Sequence, residues 1–240
     1  MRYRIIYLIA GLSALAAGVA GCGGGPLSVR GSGNVVSEAR EVSGFDKIAL
    51  DGSGTVRIEV TGSESLTIEA EDNLLPYLTS DVDEGTLELG SSRTITATEE
   101  IVYTIEVVSL AEVRIGGSGD VTVPGVSGDR LEVDISGSGS FESPGIEVDS
   151  FVGGISGSGG IEVSGAAGSL DVSISGSGAF AGADLTAKTG SVSISGSGDA
   201  TVNVTDRLEA EVSGLGDIVY FGNPELDAET SGLGNINQAR

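Results

Sequence analysis

The chain has 240 residues, a formal net charge of −23 at pH 7, 40 glycines and no histidine. A surface this acidic repels phosphate backbones, so nucleic acid is excluded as a partner, and without histidine neither a Ser-His-Asp triad nor a His-ligated zinc site can form. Val, Ile and Leu alternate regularly between the glycines, which excludes a disordered linker and predicts a folded chain with its own apolar core.

Residues 1–21 have the pattern of a secretory signal peptide. Arg2 and Arg4 precede an apolar stretch that starts at Ile5, and small residues follow it. The stretch is shorter than a typical membrane-spanning helix. The segment "VAGC", residues 19–22, resembles the lipobox of bacterial lipoproteins, and this resemblance implies that Cys22 carries the lipid. An uncleaved anchor with an incidental cysteine is the alternative.

Residues 22–40 are predicted to comprise the lipid attachment site and a flexible tether. "GGGP" directly follows Cys22, and such a segment lifts a folded domain off the bilayer. By resemblance to Gram-negative sorting, the absence of Asp at position 23 favours the outer membrane. The expected protein is therefore exported, and its first partner is the membrane that holds its lipid.

The segment 41–240 is predicted to fold as one all-β domain. A Gly-X-Gly unit recurs every 18–20 residues, which is typical of a solenoid. The flanking alternation of apolar and polar residues predicts short strands in register, so the expected fold is a right-handed parallel β-helix. Glycine is expected at each corner for backbone dihedral angles that other residues avoid. The central residues of the units are Ser118, Ser138, Ser158, Ser177, Ser197, Leu215 and Leu233.

The flanks of these units predict which side chains face the core. The residue three positions before each centre is apolar in six of the seven units, as Ile135 and Ile155 illustrate, and so is the third residue after it. In the last two units Leu215 and Leu233 replace the central Ser. We expect these leucines to close the C-terminal end or cover a neighbouring surface, and the polar "GLGNINQAR" to cap the stack.

The pattern is looser before Ser118. One further unit surrounds Ser53, and strand-like runs then alternate with breaks at Pro76 and at residues 83–85. This half is predicted to form either wider coils or a cap that shields the exposed edge of the first coil.

Three segments in a fixed order resemble a known family. "GFDKIALDGSGTVRIEV", "EAEDNLLPYLTSDVDEGTLEL" and "YTIEVVSLAEVRIGGSGDV", followed by the "SGSG" repeats, are similar to the auto-transporter adhesin head, or GIN, domain. The resemblance covers residues 41–237. It implies a right-handed β-helical fold on exported or surface-anchored proteins, and it brings no catalytic residues with it.

Outward positions of successive coils are often acidic. Glu142 and Glu162, and likewise Asp199 and Asp217, are expected on neighbouring coils about 5 Å apart. Such pairs form a solvated acidic face, hold a cation such as calcium, or act as an acid/base pair. The solvated face is the preferred interpretation, and the four residues are the candidate cation ligands.

These features favour a non-enzymatic, lipid-anchored envelope protein that presents an acidic β-helix for adhesion or for binding an envelope, surface or polysaccharide ligand. The alternative is a polysaccharide lyase or hydrolase that uses the stacked carboxylates. A passive structural spacer is the third hypothesis.

Overall fold

The computed structural model describes residues 28–239, and these residues form a β-solenoid. One short 3₁₀ helix, Leu75–Tyr77, is the only helical element in this part of the chain. The strands, in chain order, are β1 Val29–Arg30, β2 Val35–Arg40, β3 Lys47–Leu50, β4 Thr55–Val60, β5 Ser65–Glu71, β6 Leu78–Asp83, β7 Thr86–Ser91, β8 Ile95–Thr96, β9 Val102–Val107, β10 Glu112–Ile115, β11 Asp120–Thr122, β12 Val126–Ile135, β13 Ser140–Ile155, β14 Gly160–Ile174, β15 Ala179–Ile194, β16 Asp199–Val212, β17 Ile218–Phe221, β18 Glu225–Thr230 and β19 Ile236–Gln238.

Two columns of parallel strands meet at the Gly-X-Gly corners. The first column holds the strands that enter each corner, and Ile135, Ile155, Ile174 and Ile194 stack there in register. The second column holds the strands that leave it. Pairing partners are 18–20 residues apart in the regular coils, so the predicted parallel β-helix with this repeat is confirmed.

The core is a continuous row of apolar side chains inside the coils. The inward residues predicted from the repeat are buried from Val113 to Val212 and again at Ile218. Aromatic side chains occupy three of these levels at Phe141, Phe151 and Phe180. Alternation with period two places one apolar side chain inside for each polar one outside, and this produces the core.

The corner glycines are required by close stacking. The backbone N–H of Ser158 donates to the carbonyl oxygen of Gly137 at 3.0 Å, and the same bond recurs at every corner through Leu233. A Cβ added to Gly157 would lie less than 3.0 Å from that oxygen. Among the corner glycines only Gly54 has a left-handed φ, of 135°. The expectation that unusual dihedral angles require these glycines is therefore wrong, because the space between coils excludes a side chain.

The N-terminal half forms a cap, as one of the two predicted alternatives stated. Strand β3 lies between β7 and β10, and β4 lies between β9 and β11, so the first corner, around Ser53, belongs to the same stack. Beyond this level the strands reverse direction. Strand β6 pairs antiparallel with β7, and β5 pairs antiparallel with both β9 and β2.

The cap is fastened by the consecutive polar residues Glu71, Asp72 and Asn73. Glu71 is 1% exposed and accepts hydrogen bonds from the Gly33 N–H at 2.6 Å and the Thr98 N–H at 2.9 Å. Asp72 accepts from the Ser32 hydroxyl at 2.6 Å, and the Asn73 side chain accepts from the Ser32 N–H at 2.9 Å. These bonds join the segment 31–34 to the cap.

The predicted tether is consequently shorter than residues 22–40. Residues 29–30 and 35–40 are strands β1 and β2, and the hydrogen bonds to residues 71–73 hold the segment between them. Repeat counting did not detect this part of the fold, because its partners lie about 40 residues away and carry no Gly-X-Gly signal.

The C-terminal end differs from its prediction in two ways. "GLGNINQAR" does not form a separate cap, since residues 236–238 are strand β19 in the last coil and pair with β17. Leu215 and Leu233 are 61% and 83% exposed, so they bury no end of this chain. Their backbone continues the corner hydrogen-bond ladder, which directs both side chains outward.

We expect Gly157→Ala to destabilise the protein strongly, because the new methyl group would force two coils apart. Overpacking of this kind costs about 1–3 kcal/mol. Gly128→Ala is the control, since no atom lies within 4 Å of its added Cβ, and its effect should stay within about 0.5 kcal/mol. Chemical denaturation measures both values, and equal stability of the two variants would contradict the stacking explanation.

The Glu71 carboxylate should stabilise the cap in a pH-dependent way. Its hydrogen bonds with Thr98 hold its pKa below the ordinary value of 4.5, against the opposing effect of burial. The stabilisation is therefore complete above about pH 4.5 and is lost as the pH falls through the lower folded-state pKa.

Glu71→Gln should accordingly lower the melting temperature at pH 7, and its difference from wild type should shrink on acidification. Glu69→Gln, on the exposed side of the same strand, is the matched control. A difference between wild type and Glu71→Gln that does not change with pH would show that the carboxylate charge is unimportant.

Candidate binding surface

The regular coils carry an acidic outer surface with few compensating bases. Between residues 136 and 239 there are 14 acidic residues and two basic ones, Lys188 and Arg207. Within residues 28–239 the ion pairs are Arg40–Glu38, Arg114–Glu112 and Arg130–Glu132, all at residue 132 or earlier. The carboxylates of the later coils therefore face solvent without a basic partner in the described part of the chain.

Glu142 and Glu162 are brought together as predicted. They are direct partners in the β13–β14 register, so neighbouring strands place them on one outer face about 4.8 Å apart along the stack. Both line a groove of about 170 Å³ that also includes Asp184. The groove lies where the register shifts beyond Ser143 and beyond Glu162, because the strands bend there from the second face toward the third.

Asp199 and Asp217 are also neighbours, but their carboxylates bond to the backbone of the next coil. Asp199 Oδ1 accepts from the Asp217 N–H at 2.8 Å, and Asp217 Oδ1 accepts from the Asn235 N–H at 2.7 Å. Asp120 likewise accepts from the N–H of Ser140 at 3.2 Å. The aspartates that leave the corners thus replace a carbonyl acceptor in the ladder between coils, which is a structural role.

Asp134 shows the effect of crowding within the acidic columns. Partial burial raises its pKa, and the nearby carboxylates of Glu132 and Glu112 raise it further. The guanidinium of Arg114 opposes this effect. Like charges one coil apart therefore favour the protonated form, as the spacing predicted.

The described residues contain no group of three or more Asp, Glu or Cys side chains that could hold a metal ion. The two predicted pairs do not meet, and each of Glu142, Glu162, Asp199 and Asp217 has at most one carboxylate partner in register. Ca²⁺ takes six to eight oxygen ligands. The geometry therefore gives the calcium hypothesis no support in this part of the chain.

A second concave feature lies at the junction of the cap and the first corner. A cavity of about 220 Å³ is lined by Leu50, Leu78 and Ile95 on its apolar side and by Ser53 and Tyr103 on its polar side. Tyr103 is 2% exposed, and burial raises its pKa to about 12 while Arg40 opposes the shift. The phenol is therefore neutral at physiological pH and can donate a hydrogen bond into the cavity.

Sequence reasoning missed both Asp184 and this cavity. Asp184 occupies a bend whose register shifts by several residues, so the repeat count did not align it with Glu142 and Glu162. Tyr103 lies in β9, which pairs with β4 although 43 residues separate Val60 from Tyr103. The only sequence signal for either residue was a polar or aromatic side chain beside a strand.

The predicted lipid attachment at Cys22 and the signal peptide at 1–21 lie outside the described residues. Within residues 28–239 no helix has the length and apolar character needed to cross a membrane.

Solved structures of similar fold come from gut bacteria. An adhesin from Bacteroides fragilis, described as putative, superimposes with a TM-score of 0.85 at 25% identity, covering 88% of this chain and 100% of that one. A "putative lipid binding protein" from Parabacteroides distasonis gives 0.72 at 24% identity, covering 89% of this chain and 100% of that one. A "putative adhesin" from Parabacteroides merdae gives 0.70 at 22%, covering 89% and 99%.

The curated protein sequences contain no significant match to the chain. A family model does match it, over residues 44–224, and this match includes the cap, the Gly-X-Gly corners and the groove at Glu142 and Glu162. The predicted resemblance is confirmed over most of the chain. The protein belongs to the family described as "Putative auto-transporter adhesin, head GIN domain".

Proposed function

We propose that this protein is a non-enzymatic, lipid-anchored adhesion protein of the cell envelope that binds cationic groups through the acidic groove at Glu142, Glu162 and Asp184. The observation that carries the proposal is the juxtaposition of three exposed carboxylates in one groove, with no basic residue in its lining. Such a surface attracts positively charged partners and accelerates their encounter.

The family membership supports the adhesive part of the proposal, since the family is described as adhesin heads. The solenoid supports it physically, because a backbone bonded coil to coil holds outward side chains at fixed spacing. A ligand that meets such a preorganised array loses less free energy to side-chain ordering. Cys22 would place this array at the membrane surface, consistent with the lipobox-like "VAGC".

The sequence hypothesis of a carboxylate-dependent glycosidase or lyase receives less support. Asp199 and Asp217 already accept backbone hydrogen bonds, so they are poorly placed to exchange protons with a substrate. The groove at Glu142 and Glu162 presents no Lys or Arg beside them for charge stabilisation. We therefore assign the groove to binding.

Reversal of the groove charge should abolish attachment to a cationic surface. The variant Glu142→Lys/Glu162→Lys/Asp184→Lys is compared with wild type for retention on amine-coated and carboxylate-coated beads at about 0.15 M salt. We expect about tenfold weaker binding to the amine beads, because the attraction becomes repulsion.

The matched control reverses three other exposed acids, Glu225, Asp227 and Glu229, and leaves the groove intact. Equal losses in both variants would show that binding follows net charge alone, and the groove would then have no specific role.

A second candidate function, binding of a small amphipathic ligand, is favoured by the cavity at Tyr103. Its apolar wall and single neutral phenol suit a ligand with one polar end. The relative from Parabacteroides distasonis, described as a lipid-binding protein, has the same fold.

Ile95→Trp should fill this cavity and reduce binding of a fluorescent fatty acid by about tenfold, because steric exclusion removes the ligand's place. Val108→Trp is the control, since Val108 is 56% exposed and does not line the cavity. Fluorescence titration measures both variants, and unchanged binding by Ile95→Trp would reject this site.

A further inference from the structure

The last coil of the described chain leaves one side of its strands unpaired. Strand β18 pairs only with β16, and β19 pairs only with β17. The Ser231 N–H donates to the Val212 carbonyl, so residues that alternate with Ser231 point their N–H groups away from the stack. Leu226, Ala228 and Thr230 are these residues, and their N–H and C=O groups form an open edge.

The open edge also leaves part of the apolar core uncovered. Leu208 and Ala210 in β16 are 0% and 1% exposed because Leu226 and Ala228 cover them in register. Leu226 itself is 40% exposed, and every residue of β18 is exposed. Each earlier coil receives a cover from the next one, and within the described residues the last coil receives none.

Exposed apolar side chains are concentrated at the same end. Leu215, Phe221, Leu226 and Leu233 are all at least 37% exposed and lie within 19 residues of one another. At the corners, Leu replaces the usual Ser in the last two coils alone. The departure from the repeat therefore adds apolar surface beside the edge, which is typical of a surface that another chain covers.

The charge of the edge selects its occupant. The outward residues of β18 are Glu225, Asp227 and Glu229, all without a basic partner in the described ion pairs. In an antiparallel pair with a second copy, these carboxylates would face one another, which is destabilising. The edge strand β6 at the opposite end carries Asp81 and Asp83, so head-to-tail stacking meets the same repulsion.

We propose that the open edge of β18 binds an extended segment of another protein in which apolar residues alternate with Lys or Arg. The segment adds as the next strand of the first column, and its backbone pairs with Leu226, Ala228 and Thr230. Its apolar side chains cover Leu226 and Ala228, while its basic side chains meet Glu225, Asp227 and Glu229. This mode is strand addition to a sheet edge, and it is separate from the groove proposed above.

The test uses the whole mature protein and short fluorescent peptides, with fluorescence anisotropy as the readout. The probe alternates Lys and Val, and the two comparison peptides alternate Glu and Val or carry Lys and Val in separate blocks. We expect the alternating basic peptide to bind at least about tenfold more tightly than either comparison peptide.

Three variants locate the binding. Glu225→Lys/Asp227→Lys/Glu229→Lys should weaken the basic peptide about tenfold and strengthen the acidic one. Ala228→Pro should also weaken binding, since it removes an outward N–H that β16 does not use. The groove variant Glu142→Lys/Glu162→Lys/Asp184→Lys carries the same net charge as the first variant and should bind the basic peptide as wild type does. Melting temperatures of all variants establish that they are folded.

The proposal is overturned if the blocked peptide binds as tightly as the alternating one, or if the groove variant loses as much affinity as the edge variant. Either result would mean diffuse electrostatic attraction. A concentration-dependent dimer of the wild type that Ala228→Pro abolishes, seen by sedimentation, would assign the edge to a second copy and would also overturn it. Failure here leaves the groove proposal standing, because the bead experiment tests different residues.

Discussion

The backbone hydrogen bond that joins successive corners constrains the whole solenoid. Each corner N–H donates to a glycine carbonyl of the coil before it, and the glycines pass so closely that no Cβ fits between them. This bond sets the register of both strand columns. Because the register is shared, every inward position stacks on an inward position, and the core forms without any helix.

The same register turns single outward residues into columns, and the position within the coil decides what a carboxylate can do. Asp199 and Asp217, directly beside the corner, reach the backbone N–H of the next coil and become part of the ladder. Glu142 and Glu162 are farther from the corner and meet in the groove with Asp184. One composition thus supplies both structural acceptors and a surface suited to cationic ligands.

The two ends of the stack are unlike. At the first end, antiparallel strands reverse the direction of the sheet, and the carboxylate of Glu71 ties the segment around Gly33 to the cap. At the other end, β18 keeps a free edge with Leu226 partly exposed. Since only one end is closed by the fold, contacts that extend the sheet are directed to the C-terminal coil, and acidic residues restrict which partner can make them.

The sequence by itself determined the repeat, the parallel coils and the inward residues from Val113 to Val212, because these depend on spacings of 18–20 residues and on alternation. It also determined that Glu142 lies beside Glu162. Only the tertiary structure decided that Asp199 serves the backbone, that Glu71 closes the cap, and that Tyr103 lines a cavity. These roles arise from contacts along the stack or between segments about 40 residues apart, and no periodic signal records such contacts.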